Sequence, residues 1–131
     1  AQSASHTKIV ANQVHYNLVY REPEAAGLLQ YCQSHDVMLI AWRPVQAGAM
    51  AQPQGEAIRR LCEKYGKTPA QIAIQWLLSQ PNVTAIATMR SARHLAENIA
   101  AAGFSMDPAD VEWLRRDFPG QEARSNAVPL A

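Results

Sequence analysis

The residues with the clearest capacity for ligand chemistry lie where an apolar segment ends in Trp42, Arg43 and Pro44. The preceding residues 37–41 are apolar and β-prone, which is typical of a strand buried on both faces of a parallel sheet. In such sheets, binding chemistry gathers at the carboxyl ends of the strands. An indole there can cover a planar ligand, and the adjacent guanidinium can meet an anion. The alternative is that Trp42 only packs at the mouth of the fold, beside a solvated Arg43.

Composition limits the classes of function that this chain can serve. Its 131 residues, 48% hydrophobic and 18% charged, predict one globular domain with a real core. A formal net charge of +1 gives no field that would gather nucleic acid or an acidic membrane, so neither is a predicted partner. We find no apolar stretch of transmembrane length and no signal peptide. The chain begins with Ala, which is typical of a fragment, a processed product or a trimmed chain.

The two cysteines bear on the redox environment of the protein. Cys32 and Cys62 lack the spacing of a metal site, and each falls on an apolar helical face. This pattern predicts buried free thiols in a reducing, cytoplasmic compartment, with a disulfide as the minor alternative. No metal site is predicted.

Three apolar segments predict strands at residues 9–15, 37–42 and 83–87. Their separation by helical patterns indicates parallel βα units with right-handed crossovers. A complete (β/α)₈ barrel needs about 250 residues. The sequence therefore predicts an α/β fold that is a partial (β/α)₈ TIM barrel, with about three parallel strands and flanking helices. The outer edges of the first and third strands should be open for pairing.

The helical patterns have recognisable starts and faces. A 3.6-residue apolar repeat predicts one helix over about residues 23–35. The sequence Thr-Pro-Ala-Gln at 68–71 is a capping box, which predicts a helix start at that point. A third helix, over about residues 91–102, should point Leu95 and Ile99 inward. We assign residues 1–131 to a single domain whose last part, 119–131, is an irregular tail.

Five motifs, in order along the chain, resemble the carboxyl-terminal half of the aldo-keto reductase barrel. Together they span about residues 9–118, and five ordered matches are more specific than any one of them. They are Asn-Gln-Val-His-Tyr at 12–16 (Asn-Gln-Val-Glu-Tyr in the family), Leu-Leu-Gln-Tyr-Cys at 28–32, Ala-Trp-Arg-Pro-Val at 41–45 (Ala-Tyr-Ser-Pro-Leu in the family), the helix start at 65–73, and His-Leu-Ala-Glu-Asn at 94–98.

The resemblance implies a nicotinamide cofactor, with NADP(H) favoured over NAD(H), used to reduce aldehydes and ketones. It puts Gln13 on the nicotinamide carboxamide, since an amide offers both donor and acceptor. It makes Trp42 the ring that stacks on the nicotinamide in place of the family's Tyr. Arg43 would pair with the pyrophosphate. The loop after it, including Pro44, Val45 and Gly48, would help cradle the phosphates, although an ordinary loop is an equal alternative beyond Pro44.

The adenosine end departs from the family pattern, which leaves the choice between NADP and NAD open. Where the family has a Lys-Ser pair and a later Arg, this chain has Thr88, Met89 and His94. The resemblance then implies that Arg90, or else Arg93, meets the 2′-phosphate. Two further residues match the pair that contacts the adenine: Glu97 and Asn98.

The family's proton-donor Tyr and its Lys, Asp and His partners belong to the first half of the barrel, which has no counterpart in this sequence. We therefore predict no catalytic residue in this chain, and expect the isolated chain to be inactive. The first hypothesis is the carboxyl-terminal portion of an NAD(P)H-dependent carbonyl reductase, whose small carbonyl substrate requires completion by an N-terminal half. The alternative is a non-catalytic half-barrel binding or assembly module, possible as a homo-oligomer joined through open strand edges.

Overall fold

The computed structural model describes residues 7–45, 55–89 and 91–118. Gly48, Arg90 and the predicted tail at 119–131 lie outside these residues. Three strands alternate with six helices over the described part of the chain. In order they are β1 Ala11–His15, α1 Glu22–Ala25, α2 Leu28–Ser34, β2 Met38–Trp42, α3 Gly55–Tyr65, α4 Pro69–Leu78, β3 Val83–Ile86, α5 Ala92–Ala100 and α6 Pro108–Asp117, with a 3₁₀ turn at Ala101–Gly103 between the last two helices.

The strands form one parallel sheet in the order β1-β2-β3. Ile40 in the central strand lies opposite Gln13 on one side and Thr84 on the other. Each strand begins and ends within two residues of its predicted bounds. The α/β arrangement of three parallel strands with flanking helices is therefore confirmed.

The two faces of the sheet have different surroundings. Leu39 and Ala41 point to one face and are fully buried in the core with the helices. Because side chains alternate along a strand, Met38, Ile40 and Trp42 point to the other face. Among the described residues, Met38 at the start of that row is exposed, and β1 and β3 each pair with one strand only. This face and both outer edges are uncovered in the part of the chain that the structure describes.

The helical segment after β1 differs from its prediction. A single helix was expected over residues 23–35, but α1 ends at Ala25 and α2 begins at Leu28. Gly27 between them has φ of +73°, in the left-handed region that a non-glycine residue enters at a cost. The apolar repeat continues across this break, so the period alone could not reveal it.

The predicted capping box of α4 is confirmed atom by atom. The Gln71 backbone N–H donates to Thr68 Oγ1 at 3.2 Å, and the Thr68 N–H donates to Gln71 Oε1 at 3.0 Å. The helix then buries Ile72, Trp76 and Leu77 completely. It is the central helix of the core.

The prediction that Leu95 and Ile99 on α5 point inward is wrong. Leu95 is 43% exposed and Ile99 is 61% exposed, although the expected Ser91 cap is present, with the His94 N–H donating to its hydroxyl at 3.2 Å. The helix is anchored to α4 by a hydrogen bond from the Gln71 side-chain amide to the Glu97 carbonyl, 3.0 Å long. Glu97 and Asn98 are half-buried beside this contact, and the apolar pair is exposed.

A polar cluster joins α3 to the start of α6. Lys64 Nζ lies 2.7 Å from carboxylate oxygens of both Asp107 and Asp110, and Tyr65 donates its hydroxyl hydrogen to Asp110. Burial opposes ionisation of Asp110, but the hydrogen bonds from Lys64 and Tyr65 outweigh it and lower the pKa of this carboxyl. Asp107 precedes α6, but its side chain makes no capping bond and is paired with Lys64 instead.

Both cysteines are free, with Cys32 buried and Cys62 partly buried. The helices found in residues 7–45, 55–89 and 91–118 are all too short or too polar to span a bilayer. The same residues contain no cluster of three His, Cys, Asp or Glu side chains suited to a metal ion.

Candidate functional site

An open cavity of about 780 Å³ lies where β2 and β3 end, between the uncovered face of the sheet and α5. The cavity is lined by eight of the residues that the sequence analysis predicts as cofactor-binding. They are Gln13, Trp42, Arg43, Pro44, Val45, Thr88, His94 and Asn98. Two apolar residues that were not nominated, Ile86 and Ala87, complete the described lining.

Four of the predicted site residues are not among the described lining of the cavity. Met89 and Glu97 are not part of the described lining of the cavity, and Gly48 and Arg90 lie outside the residues that the structure describes. Ile86 and Ala87 could have been nominated from sequence, because they end the third predicted strand and the carboxyl ends of parallel strands meet at one edge.

Gln13 and Trp42 reach the cavity from neighbouring strands. His15 lies opposite Trp42 in the register of β1 and β2, and Gln13 is two residues before His15. Side chains two apart in a strand share a face, so Gln13 and Trp42 point to the same side of the sheet. The Gln13 side chain is exposed, and its amide is available to a ligand group that both donates and accepts hydrogen bonds.

Arg43 folds over the indole at the end of β2. Its Cζ lies 5.1 Å from the centroid of the Trp42 ring, a cation–π distance. Its φ of +55° is in the left-handed region, which costs a non-glycine residue about 1–2 kcal/mol. Strained backbone of this kind persists only where neighbouring groups hold it, and it clusters at ligand sites.

An aromatic wall supports Trp42 from the side of β1. The His15 ring centroid lies 4.9 Å from that of Trp42, and 4.4 Å from that of Tyr20, on which His15 stacks at 19°. His15 and Tyr20 are both buried. The indole therefore rests against packed rings on the side of β1, which restricts its rotation.

Asn17 was not singled out from the sequence, although it contacts several parts of this wall. Its Oδ1 accepts the backbone N–H groups of Val19 at 2.9 Å and Tyr20 at 2.8 Å. Its Nδ2 donates to the Arg43 carbonyl at 2.9 Å and lies 3.2 Å from His15 Nε2. An Asn two residues after a strand, positioned to bond N–H groups two and three residues ahead, is a turn signal that could have identified it.

The charge in the cavity favours an anionic ligand. Its described lining carries the guanidinium of Arg43 and the imidazole of His94, and no carboxylate. His94 and Asn98 lie four residues apart on α5, so both project from one side of the helix. That side faces the cavity, which agrees with the outward position of Leu95 and Ile99.

No tyrosine lines the cavity within the described residues. Tyr16 is fully buried and donates its hydroxyl hydrogen to Glu24. Burial, together with the neighbouring Glu24 carboxylate, raises the pKa of Tyr16 well above its ordinary value. This phenol therefore stays protonated and faces the helix layer.

Comparison with known proteins gives a consistent result. The model of the aldo/keto reductase family matches residues 1–116. A versiconal hemiacetal acetate reductase of Aspergillus parasiticus is 25% identical over 140 aligned positions, covering 85% of this chain. A thermostable aldo-keto reductase solved with the inhibitor epalrestat superposes with a TM-score of 0.81 at 34% identity, over 86% of this chain. An aldo/keto reductase of Klebsiella pneumoniae, solved with NADP and acetate, gives 0.74 at 29% identity over 93%.

These relatives are longer than the present chain. It spans 40% of the Aspergillus reductase, 41% of the thermostable enzyme and 44% of the Klebsiella enzyme. The superpositions confirm that its three strands and their helices are part of a (β/α)₈ TIM barrel. Sequence, fold and family model agree, and this chain belongs to the aldo/keto reductase family.

Proposed function

We propose that this chain supplies the cofactor-binding part of an NAD(P)H-dependent carbonyl reductase. The observation that carries the proposal is the cavity at the strand ends, where the Trp42 indole, the Gln13 amide and the Arg43 guanidinium meet. A flat ring, a paired donor and acceptor, and a cation are the groups that a nicotinamide dinucleotide requires. The family membership of the chain supports the same assignment.

The residues present fit the nicotinamide end of such a cofactor. The Trp42 ring offers a face for stacking and is supported from behind by His15. Gln13 would hold the carboxamide through its own amide. Arg43, with the backbone of Pro44 and Val45, would meet the pyrophosphate, which is the most highly charged part of the ligand.

The adenosine end would lie along α5. His94 and Asn98 face the cavity, and Thr88 follows β3 at its rim. We propose NADP(H) rather than NAD(H), because the Klebsiella relative was solved with NADP and His94 offers a second basic group in the cavity. Arg90 remains a predicted partner of the 2′-phosphate.

The bound cofactor would supply a hydride to the carbonyl carbon of a small aldehyde or ketone. The residues of this chain would hold the cofactor in place, stack on its ring and exclude water from its pyridine face. Protonation of the carbonyl oxygen would fall to groups outside this chain, since no tyrosine is among the described residues that line the cavity. We propose no catalytic residue here.

The uncovered sheet face supports completion by further strands. β1 and β3 each have a free edge within the described residues, and Met38 and Ile86 are exposed large apolar side chains. We propose that an N-terminal half of the barrel covers them in the active enzyme, with residues 1–131 as one domain in a reducing cytoplasm. Self-association through the same edges is the alternative, and sedimentation of the chain distinguishes a monomer from a homo-oligomer.

Titration with NADPH tests the proposed function. The chain contains three tryptophans, and Trp42 alone lines the cavity within the described residues, so a stacked nicotinamide should quench its fluorescence saturably. Trp42→Phe keeps a ring for stacking but removes the indole, and should abolish most of the quenching. Trp113→Phe is the matched control and should leave the quenching unchanged. Absence of saturable quenching by NADPH or NADH below about 1 mM would overturn the proposal.

The choice of dinucleotide can be tested at His94. His94→Arg should lower the dissociation constant for NADPH about tenfold to a hundredfold, because a charge-assisted bond to the 2′-phosphate contributes roughly 1.5–3 kcal/mol. NADH lacks that phosphate, so its affinity should change little. Calorimetric titration of both dinucleotides measures the ratio, and His94→Gln controls for loss of the imidazole. Equal gains for the two dinucleotides would contradict a phosphate contact at this position.

A further inference from the structure

We infer that Asn17 is a positioning residue for the cavity, holding Trp42 and Arg43 in the arrangement that binds the dinucleotide. The inference rests on the proposed function and extends it to a residue that does not line the cavity. Asn17 is 1% exposed, so any effect that it has on a ligand must pass through the residues it contacts.

The orientation of the Asn17 amide is fixed by its partners. Two backbone N–H groups, from Val19 and Tyr20, point at Oδ1. The opposite arm, Nδ2, points at the carbonyl oxygen of Arg43. A flipped amide would set donor against donor and acceptor against acceptor at these contacts. Nδ2 is therefore the arm that faces the cavity-lining loop.

The Nδ2 group of Asn17 holds the strained turn after β2 through a hydrogen bond. Arg43 has a left-handed backbone, and its carbonyl accepts from Asn17 at 2.9 Å. The preceding carbonyl, that of Trp42, accepts from the Tyr16 N–H at 3.5 Å. Two successive carbonyls are thus bonded to the segment after β1. The bond from Asn17 is the shorter of the two and lies at the strained residue.

The same arm orients the ring that supports the indole. Asn17 Nδ2 lies 3.2 Å from His15 Nε2, and since Nδ2 is a donor, Nε2 must accept. His15 is packed between Tyr20 and Trp42 by ring contacts at 4.4 and 4.9 Å. Asn17 therefore fixes both the backbone beside Trp42 and the ring behind it.

Asn17→Asp tests this role with little change of shape. Asp keeps an oxygen for the Val19 and Tyr20 N–H groups but turns the donor arm into an acceptor facing the Arg43 carbonyl. We expect the dissociation constant for NADPH to rise about tenfold in the full chain, and the amplitude of Trp42 quenching to fall. Val111→Ala, in α6 and outside the cavity lining, is a destabilised control whose affinity should match the wild type.

Asn17→Ser is a second variant that avoids a buried carboxylate. Its hydroxyl can still bond a nearby backbone N–H in the turn, but it is too short to reach Arg43. We expect the same tenfold rise in the dissociation constant for NADPH. In an Arg43→Gly background the rise should shrink below about threefold, because glycine adopts the left-handed conformation without support.

The outcomes separate the inference from the proposed function. If the wild type does not bind NADPH, the proposed function fails and the inference fails with it. If the wild type binds and both Asn17 variants bind within twofold of it, only the inference fails. Loss of folding in both variants, under conditions where Val111→Ala stays folded, would likewise replace the positioning role with a purely structural one.

Discussion

Replacing Trp42 with Ala is expected to raise the dissociation constant for NADPH tenfold to a hundredfold. Stacking of a flat heterocycle on an aromatic side chain contributes about 1–3 kcal/mol, and alanine leaves no ring face. The substitution also removes the ring over which the Arg43 guanidinium lies, 5.1 Å from the indole centroid. Calorimetry is the suitable measurement, because the substitution removes the fluorescent reporter.

Trp42→Tyr is the matched control, since tyrosine is the residue that the family motif carries at this position. Its ring can still stack on the nicotinamide, so we expect affinity within about threefold of the wild type. Equal loss in the Ala and Tyr variants would mean that the indole acts by some means other than its aromatic face. Unchanged affinity in the Ala variant would remove Trp42 from the binding site.

Much of this fold could be predicted from sequence because its signals are local. The strands are short apolar segments, and the start of α4 is set by Thr68 and Gln71, which lie three residues apart. The meeting of Gln13 and Trp42 was implied by the resemblance to the family motifs, and it agrees with two general rules: parallel strands align their carboxyl ends, and side chains alternate between faces. Neither rule requires knowledge of the tertiary packing.

The predictions from sequence failed where tertiary packing or backbone conformation overrides a local pattern. Leu95 and Ile99 form a correctly spaced apolar pair, but both are exposed, and α5 contacts α4 through the bond from Gln71 to the Glu97 carbonyl. Gly27 interrupts a helix whose apolar period continues across the break. Asn17 carries a local turn signal, but its contact with Arg43, 26 residues further along the chain, has no counterpart in the local sequence.

Two of the departures from the family motifs at the strand ends, His15 and Arg43, both contact the third, Trp42. His15 stands where the quoted motif has Glu, Trp42 replaces Tyr, and Arg43 replaces Ser. The His15 and Trp42 rings are 4.9 Å apart, and Arg43 covers the indole. Because residues in contact couple energetically, these three positions should be substituted together in any attempt to restore the family pattern.

A partly buried cluster of charged and aromatic side chains contacts the segment that carries Asn17. Glu24 Oε2 in α1 lies 2.7 Å from Arg115 Nη1 in α6, and Glu24 also accepts the Tyr16 hydroxyl. The Cζ atoms of Arg21 and Arg115 each lie 5.3 Å from the ring centroid of Trp76 in α4. The cluster therefore ties the segment after β1 to two helices that are distant in sequence.

Glu24→Gln is expected to lower the free energy of unfolding by about 2 kcal/mol, which a urea titration would measure. Removing one partner of a fully buried ion pair costs about 3–5 kcal/mol, and this pair is 22% and 28% exposed, so the cost should be smaller.

Glu112→Gln is the matched control, because Glu112 pairs with the same Arg115 at 3.2 Å but is 67% exposed. Loss of this pair should lower the free energy of unfolding by less than about 1 kcal/mol, as for surface ion pairs in general. If the two variants were equally stable, the Glu24 pair would behave as a surface pair. The segment from Tyr16 to Arg21 would then be held by its other hydrogen bonds, such as that from Arg21 Nε to the Leu18 carbonyl at 2.9 Å, and not by the Glu24 pair.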